Sequence, residues 1–252
     1  MEKDQIDKQI NRRTFISFTV FSIIGTSFIA GWKWLYNSPK EIPGITAGAR
    51  EPLRRALNAN EILMKNLFDP KQLVETYPVS MAAKKVRQNG NVGLKGPIIA
   101  EDWKLGLFQE RDKILEISLS DIKKLPKTEI VFDFKCVEGW DQISHWGGVK
   151  FQDLIDHYKL DHLSGLKYVG MATPDNKYYI GLDMPSAIHP QTLLCYEMNG
   201  KDLPISHGYP LRLIVPVKYG IKSLKRISSI TFSDSRPRDY WAERGYDYYS
   251  GL

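Results

Sequence analysis

Cysteine is scarce in this 252-residue chain: only Cys136 and Cys195 occur, and they do not form a CxxC pair. The chain therefore carries no haem or iron–sulfur motif of its own. Histidine is equally sparse, with five residues and no zinc-ligand spacing among them. GxGxxG, the Walker loop, HExxH and GxSxG are all missing, which removes the main dinucleotide, P-loop, zinc-protease and serine-hydrolase readings. No internal repeat or low-complexity tract is present. Acidic residues are outnumbered, 29 against 35 basic ones, for a net charge of +6. The basic residues are spread along the chain in no nucleic-acid-reading motif, so no nucleic-acid partner is expected.

What is present is a globular sequence with both secondary-structure periods and 42% hydrophobic content, long enough to bury roughly 70% of its unfolded surface. The expected class is α+β, with β-sheets, surrounding helices and one hydrophobic helix at the amino terminus. Residues 1–36 hold that apolar segment, and residues 37–50, which include Asn37-Ser-Pro-Lys-Glu-Ile-Pro-Gly44, read as a linker. Residues 51–252 read as one domain. Its first helix spans Glu51 to Leu67, with Leu53, Leu57 and Met64 on one side, and Asp69-Pro70 ends it. Leu193–Met198 and Leu203–Ile205 flank Asn199-Gly200, a hairpin signal, and Leu211–Val217 and Ile227–Phe232 read as further strands.

The chemistry concentrates around Cys136. Glu129-Ile-Val-Phe-Asp-Phe-Lys-Cys136 is rich in β-branched and aromatic residues and partly alternates, as a strand buried on one face does. Gly139 breaks it, and Trp140, Trp146, Gly147 and Gly148 follow before Phe151, Leu154, Ile155 and Tyr158 recur at helical spacing. A cysteine at such a strand end can aim its sulfur into a cleft, or it can be a small buried hydrophobe. A Cys136–His145 nucleophilic pair is a third reading, since both lie in one expected loop region. Cys195, inside Leu193-Leu-Cys-Tyr196, reads as core. Trp140 and Trp146 read either as loop supports or as substrate-facing rings.

Cys136-Val-Glu-Gly-Trp140, Trp146-Gly-Gly-Val149, Leu194-Cys-Tyr-Glu-Met-Asn-Gly200 and His207-Gly-Tyr-Pro-Leu-Arg-Leu213 resemble, in that order, the molybdopterin domain of the sulfite-oxidase family. Val215-Pro-Val-Lys-Tyr-Gly-Ile-Lys-Ser-Leu-Lys225 is similar to its bacterial branch of periplasmic protein-methionine-sulfoxide reductase catalytic subunits. The resemblance runs from about Asn89 to about Ser233 and implies the sulfite-oxidase molybdopterin-binding fold. It makes Cys136 the sole protein ligand to molybdenum, a role that suits a soft thiolate. His207 and Arg212 match cofactor-binding positions, Thr173 matches a cofactor-binding threonine, and Ser223-Leu224-Lys225 matches a phosphate-contacting loop. Asn89, in Arg87-Gln-Asn-Gly-Asn-Val-Gly93, is the match for an asparagine-containing loop, while the tyrosine–glutamate pair of close relatives is missing. Asp141, His145 and Tyr209 are candidates for a substrate-facing rim.

The implied cofactor is molybdenum–molybdopterin. The implied reaction is oxygen-atom transfer, reducing a sulfoxide such as methionine sulfoxide, small or protein-bound, with electrons from a haem-containing membrane donor of cytochrome b type. Oxidation of a small sulfur compound, as in sulfite oxidases, is the alternative. Against it, no arginine lies between Cys136 and Trp146 to bind an anion, and no carboxy-terminal dimerisation domain follows Ser233. A membrane-anchored binding protein that keeps the fold without active metal is a further alternative.

Asn11-Arg-Arg-Thr-Phe-Ile16, followed by the uncharged run from Phe15 to Trp32, resembles a twin-arginine export signal, the route for proteins that fold around a cofactor before export. No Ala-x-Ala site follows, so an uncleaved anchor with its basic end inside is expected in preference to a released signal. Either outcome places the domain on the periplasmic side of the bacterial inner membrane.

Overall fold

The computed structural model describes residues 2–40, 50–95 and 102–252, the first thirteen of these by backbone alone. Helix α1 spans Glu2–Asn37, and its stretch Phe15–Asn37 is long and apolar enough to cross a membrane, with none of it buried against protein. The side chains of the twin-arginine motif up to Thr14, and linker residues 41–49, lie outside the described residues.

Helix α2, Glu51–Leu67, starts with Pro52 in its first turn, where a missing N–H is harmless, and ends at Phe68, whose backbone is extended. Its inward side differs from the expected apolar stripe. Leu53 is exposed and Arg54 is buried, because the Arg54 guanidinium donates to the Ala242 carbonyl at 3.3 Å. Leu57 and Met64 are half-buried.

Two five-stranded sheets follow. The first is ordered β2–β1–β10–β5–β6, from β1 (Lys104–Gln109), β2 (Asp112–Ser118), β5 (Tyr168–Ala172), β6 (Tyr179–Asp183) and β10 (Ser229–Ser233). Its β1–β10 pair is parallel and the others are antiparallel. The second holds β3 (Thr128–Lys135), β4 (Asp141–Lys150), β7 (Leu193–Met198) and β8 (Lys201–Asp202) in order, with β9 (Arg212–Ile214) also paired to β7. Asn199 and Gly200 both take positive φ, 53° and 69°, the geometry of a two-residue hairpin turn.

Helices α3 (Leu119–Ile122) and α5 (Met184–Ala187) are single turns, and α4 spans Phe151–His157. Phe151, Leu154 and Ile155 of α4 are buried in the larger core with Leu105, Val169 and Phe232. None of them belongs to the smaller core against which Phe134, in the strand before Cys136, is packed. A smaller core joins Ile130, Phe132, Trp146, Leu193, Cys195 and Ile214 on the second sheet. Cys195 is fully buried there, as expected.

The glycine-bearing stretch expected as a loop is a ten-residue strand, β4. Its glycines permit close approach to β7 and do not break the strand: a Cβ on Gly148 would lie 2.1 Å from the Leu194 carbonyl oxygen. Gly148 sits at a register shift opposite Cys195, and Cys195 in turn pairs with Arg212 on β9. The backbone ladder thus connects the Trp146 strand to the Arg212 strand.

Candidate molybdopterin site

The β3–β4 hairpin sets the position of Cys136. Residues 136–140 form its tip, closed by the Cys136 N–H donating to the Trp140 carbonyl at 2.9 Å and the Gly139 N–H donating to the Cys136 carbonyl at 3.1 Å. Gly139 takes φ +82°, open to glycine and strained for other residues. The thiol faces a cleft of about 960 Å³ that includes its mouth. Burial pushes the Cys136 thiol up from its ordinary range, while the Glu138 backbone, the Asn89 amide and the Arg87 charge pull it back. The Asn89 Nδ2 lies 3.6 Å from Sγ. A positive ion at the sulfur would reverse the effect of burial and favour thiolate.

The same cleft is lined by cations that lack acidic partners among the described residues. Arg212 is buried, its guanidinium 4.4 Å from the centre of the Trp146 ring, with Nη1 donating to the His207 carbonyl at 3.2 Å and Nη2 to the Ser223 carbonyl at 3.3 Å. Among the described residues its Nε has no hydrogen-bond partner. Burial lowers its pKa to about 10. Lys225 donates to the carbonyls of Asn89 and of Gly90, the latter at 3.0 Å. Burial and then Arg212 bring its ammonium down to about 7. His207 ends a short 3-10 turn, Ile205–His207, before Gly208 at φ +108°; burial, then Arg212 and Lys225, lower its pKa to about 4. Among the described residues neither Arg212 nor Lys225 forms an ion pair with a carboxylate. Buried positive charge without a counterion implies a site for an anionic ligand.

Six of the eight residues singled out in the sequence line this one cleft: Asn89, Cys136, His207, Arg212, Ser223 and Lys225. Thr173 and Leu224 do not. Thr173 is fully buried, donates to Asp175 at 2.7 Å and lies beneath Gly93, so it supports the base of the Asn89 loop. The Leu224 side chain belongs to the larger core, and its carbonyl accepts from the Leu213 N–H at 2.9 Å.

None of the three rim candidates faces the cleft. Asp141 is exposed at the β4 start, and the Tyr209 carbonyl accepts from Arg226 at 3.2 Å. His145 is on the opposite face of β4 from Ser144 and Trp146, with its Nε2 3.3 Å from Glu129. The same alternation separates His145 from Cys136, so no nucleophilic pair forms.

Other lining residues carried weaker sequence signals. Trp140 stands at the mouth with the Arg87 guanidinium 4.6 Å from its ring, and its Nε1 donates to Glu138 at 3.0 Å. Trp146 is both core and cleft floor. The aromatic tail supplies a wall, through Tyr240, Trp241 and Tyr246. It is held by the buried Lys222–Asp239 pair at 2.6 Å and by Trp241 Nε1 donating to the Tyr178 hydroxyl at 3.0 Å. From the sequence, the tail from Arg236 to Leu252, with Trp241 and four tyrosines, reads as a segment that wraps the surface or docks a partner; three of those five aromatic residues line the cleft.

The donor set fits a pterin-held metal. Among the described residues no group of three or more His, Cys, Asp or Glu side chains could hold a metal ion unaided. A metal here would have to bring most of its own ligands, as a dithiolene does, and take one thiolate. The Arg212–Lys225 end suits a phosphate.

Comparison with known proteins agrees. Residues 93–241 match the family described as oxidoreductase molybdopterin binding domain, and the chain belongs to that family. The subunit YedZ1 of Azospira oryzae is 34% identical over 190 residues, covering 73% of this chain and 70% of the relative. The protein-methionine-sulfoxide reductase catalytic subunit MsrP of Campylobacter jejuni is 35% identical over 171 residues, 60% of this chain and 57% of that one. The chain thus spans little more than half the length of that subunit. Among solved structures, the sulfane dehydrogenase SoxCD from Paracoccus pantotrophus superimposes with a TM-score of 0.50 at 18% identity, over 56% of this chain and 40% of that one, which shows the shared fold.

Proposed function

We propose that this chain catalyses oxygen-atom transfer, reducing a sulfoxide such as methionine sulfoxide, on the periplasmic side of the inner membrane. A haem-containing membrane protein, a cytochrome b type donor, supplies the electrons. The observation that carries the reading is the pairing within one cleft of a lone cysteine sulfur with the carboxylate-free Arg212–Lys225 cluster. The names of the relatives point to the sulfoxide, and helix Phe15–Asn37 supports the membrane-side placement.

A molybdenum–molybdopterin group, when bound, supplies two-electron oxygen-transfer chemistry. Cys136 is the metal's protein ligand, and the Asn89 amide sits where its N–H can donate to the thiolate. Arg212 and the Lys225 ammonium hold the phosphate end, with Ser223 fixing the guanidinium through its carbonyl. His207, neutral above about pH 4, adds a hydrogen-bonding imidazole without a further charge. Thr173 and Leu224 hold the loops that present these groups. Trp140, Trp241 and Tyr246 narrow the mouth and offer aromatic faces to a sulfur-containing side chain.

The test is turnover of free and peptide-bound methionine sulfoxide by cofactor-loaded protein, with a reduced viologen dye as artificial donor. Sulfoxide-dependent dye oxidation is expected, with a loss of about a hundredfold or more in Cys136→Ser. Full activity in that variant, or no sulfoxide turnover by loaded protein, contradicts the assignment.

A further inference from the structure

Helix α2 buries only part of its apolar surface and leaves a leucine stripe facing outward. A helix covering a soluble domain buries its apolar stripe. Here the inward side carries Arg54, bonded to the Ala242 carbonyl at 3.3 Å, and Glu61, paired with Arg236 at 2.7 Å, beside the half-buried Leu57 and Met64. Leu53, Ala56, Leu63 and Leu67 fall within roughly a quarter of a turn of one another at 3.6 residues per turn, with Asn60 the one polar residue among them. All four are exposed, Leu63 at 56% and Leu67 at 68%.

The start of this helix is fastened to the end of α1. The Glu51 N–H donates to the Pro39 carbonyl at 2.9 Å, Arg50 Nη1 donates to the Ser38 carbonyl at 2.7 Å, and the Arg50 guanidinium lies 5.3 Å from the centre of the Tyr36 ring. Trp32, Trp34 and Tyr36, all exposed, mark this end of α1. Tryptophan and tyrosine concentrate at the membrane–water boundary. The outward leucines therefore begin where a membrane-crossing α1 leaves the hydrocarbon, and interfacial amphipathic helices bury such a face among lipid headgroups and upper acyl chains.

We infer that the Leu53–Leu63–Leu67 face of α2 lies in the lipid surface, fixing the domain against the membrane that α1 crosses. The inference rests on α1 being a membrane span. Its partner is bilayer lipid, not a protein groove. Because Arg54 and Glu61 grip residues 236–242, this contact would also set the orientation of the Tyr240–Tyr246 wall, and with it the cleft mouth, toward the membrane.

Site-directed nitroxide labelling of the full chain tests it, one chain per phosphatidylcholine–phosphatidylglycerol nanodisc, with no other protein present. Leu63→Cys and Leu67→Cys are read against Asn58→Cys, exposed on another side of the helix, and Phe21→Cys within α1. The unsubstituted chain corrects for labelling of Cys136 and Cys195. Power saturation is expected to give greater collision with oxygen than with an aqueous nickel complex at positions 63 and 67, and the reverse at 58. Aqueous values at 63 and 67 with an immersed Phe21 label overturn the inference, including in favour of a protein partner. An aqueous Phe21 label overturns the span on which it rests.

Discussion

His207 shows how the cleft's charge is set residue by residue. Its imidazole is buried beside two cations, so protonation is disfavoured and its pKa falls from 6.5 to about 4. The unfolded chain therefore binds the extra proton between these values, and the stability contributed by the neutral ring is full above pH 6.5 and lost as pH falls toward 4. Buried His189 is shifted in the same direction by desolvation. Thermal melts of cofactor-free protein between pH 7 and 4 are expected to show a falling Tm, with a shallower fall in His207→Gln. An unchanged slope in that variant would remove His207 from the account. A bound phosphate offsets Arg212 and Lys225 and should narrow the window. At this scale the sequence was informative where a residue type has a single strong use: Cys136 and Arg212 stood out through motif order. Asp141 and His145 did not reach the cleft, because side-chain direction in a strand depends on register, and register was not readable from a glycine-rich stretch; Tyr209 lies outside the strands, in the turn before β9.

Strand β4 is where local reading failed and tertiary contact decided. Gly147 and Gly148 look like loop residues, yet Gly148 is needed because β7 approaches its Cα closely. A Cβ there would meet the Leu194 carbonyl oxygen and the Cys195 Cα, at 2.1 and 2.6 Å. A Cβ on Gly147 would meet the Glu197 and Lys127 side chains at 3.1 and 3.2 Å, and flexible side-chain ends can give way. Gly148→Ala is expected to destabilise by about 2–3 kcal/mol, a Tm loss of roughly 5–10 °C, while Gly147→Ala stays within about 1 kcal/mol. Equal melting of the two variants would contradict the close-approach explanation. Other elements were legible: α2 matched residue for residue, the strand before Cys136 to within one position, and the Asn199–Gly200 hairpin by its turn chemistry. The strands read over Leu211–Val217 and Ile227–Phe232 were shorter or shifted, since apolar runs continue into buried loops that hydrogen-bond outside the sheets.

For the molecule as a whole, the net charge of +6 is distributed along the chain, and its sharpest local consequence is a buried cationic cluster facing one sulfur. That cluster is assembled from segments more than a hundred residues apart in sequence, Asn89 and Lys225 among them, and no local pattern reports such closure. The order of motifs did report it, because motif order specifies the whole fold. The tail remained illegible for the converse reason: its aromatic residues gain a role only from the Lys222–Asp239 pair that seats them. On the reading proposed above, this cleft holds one pterin-bound molybdenum through Cys136. Metal and pterin analysis of protein from a molybdopterin-competent host tests it most directly, with Cys136→Ser alongside. Close to one molybdenum and one pterin per chain are expected in the unsubstituted protein, and in the variant retained pterin with molybdenum depleted or catalytically silent. Folded, exported protein with neither metal nor pterin would contradict it.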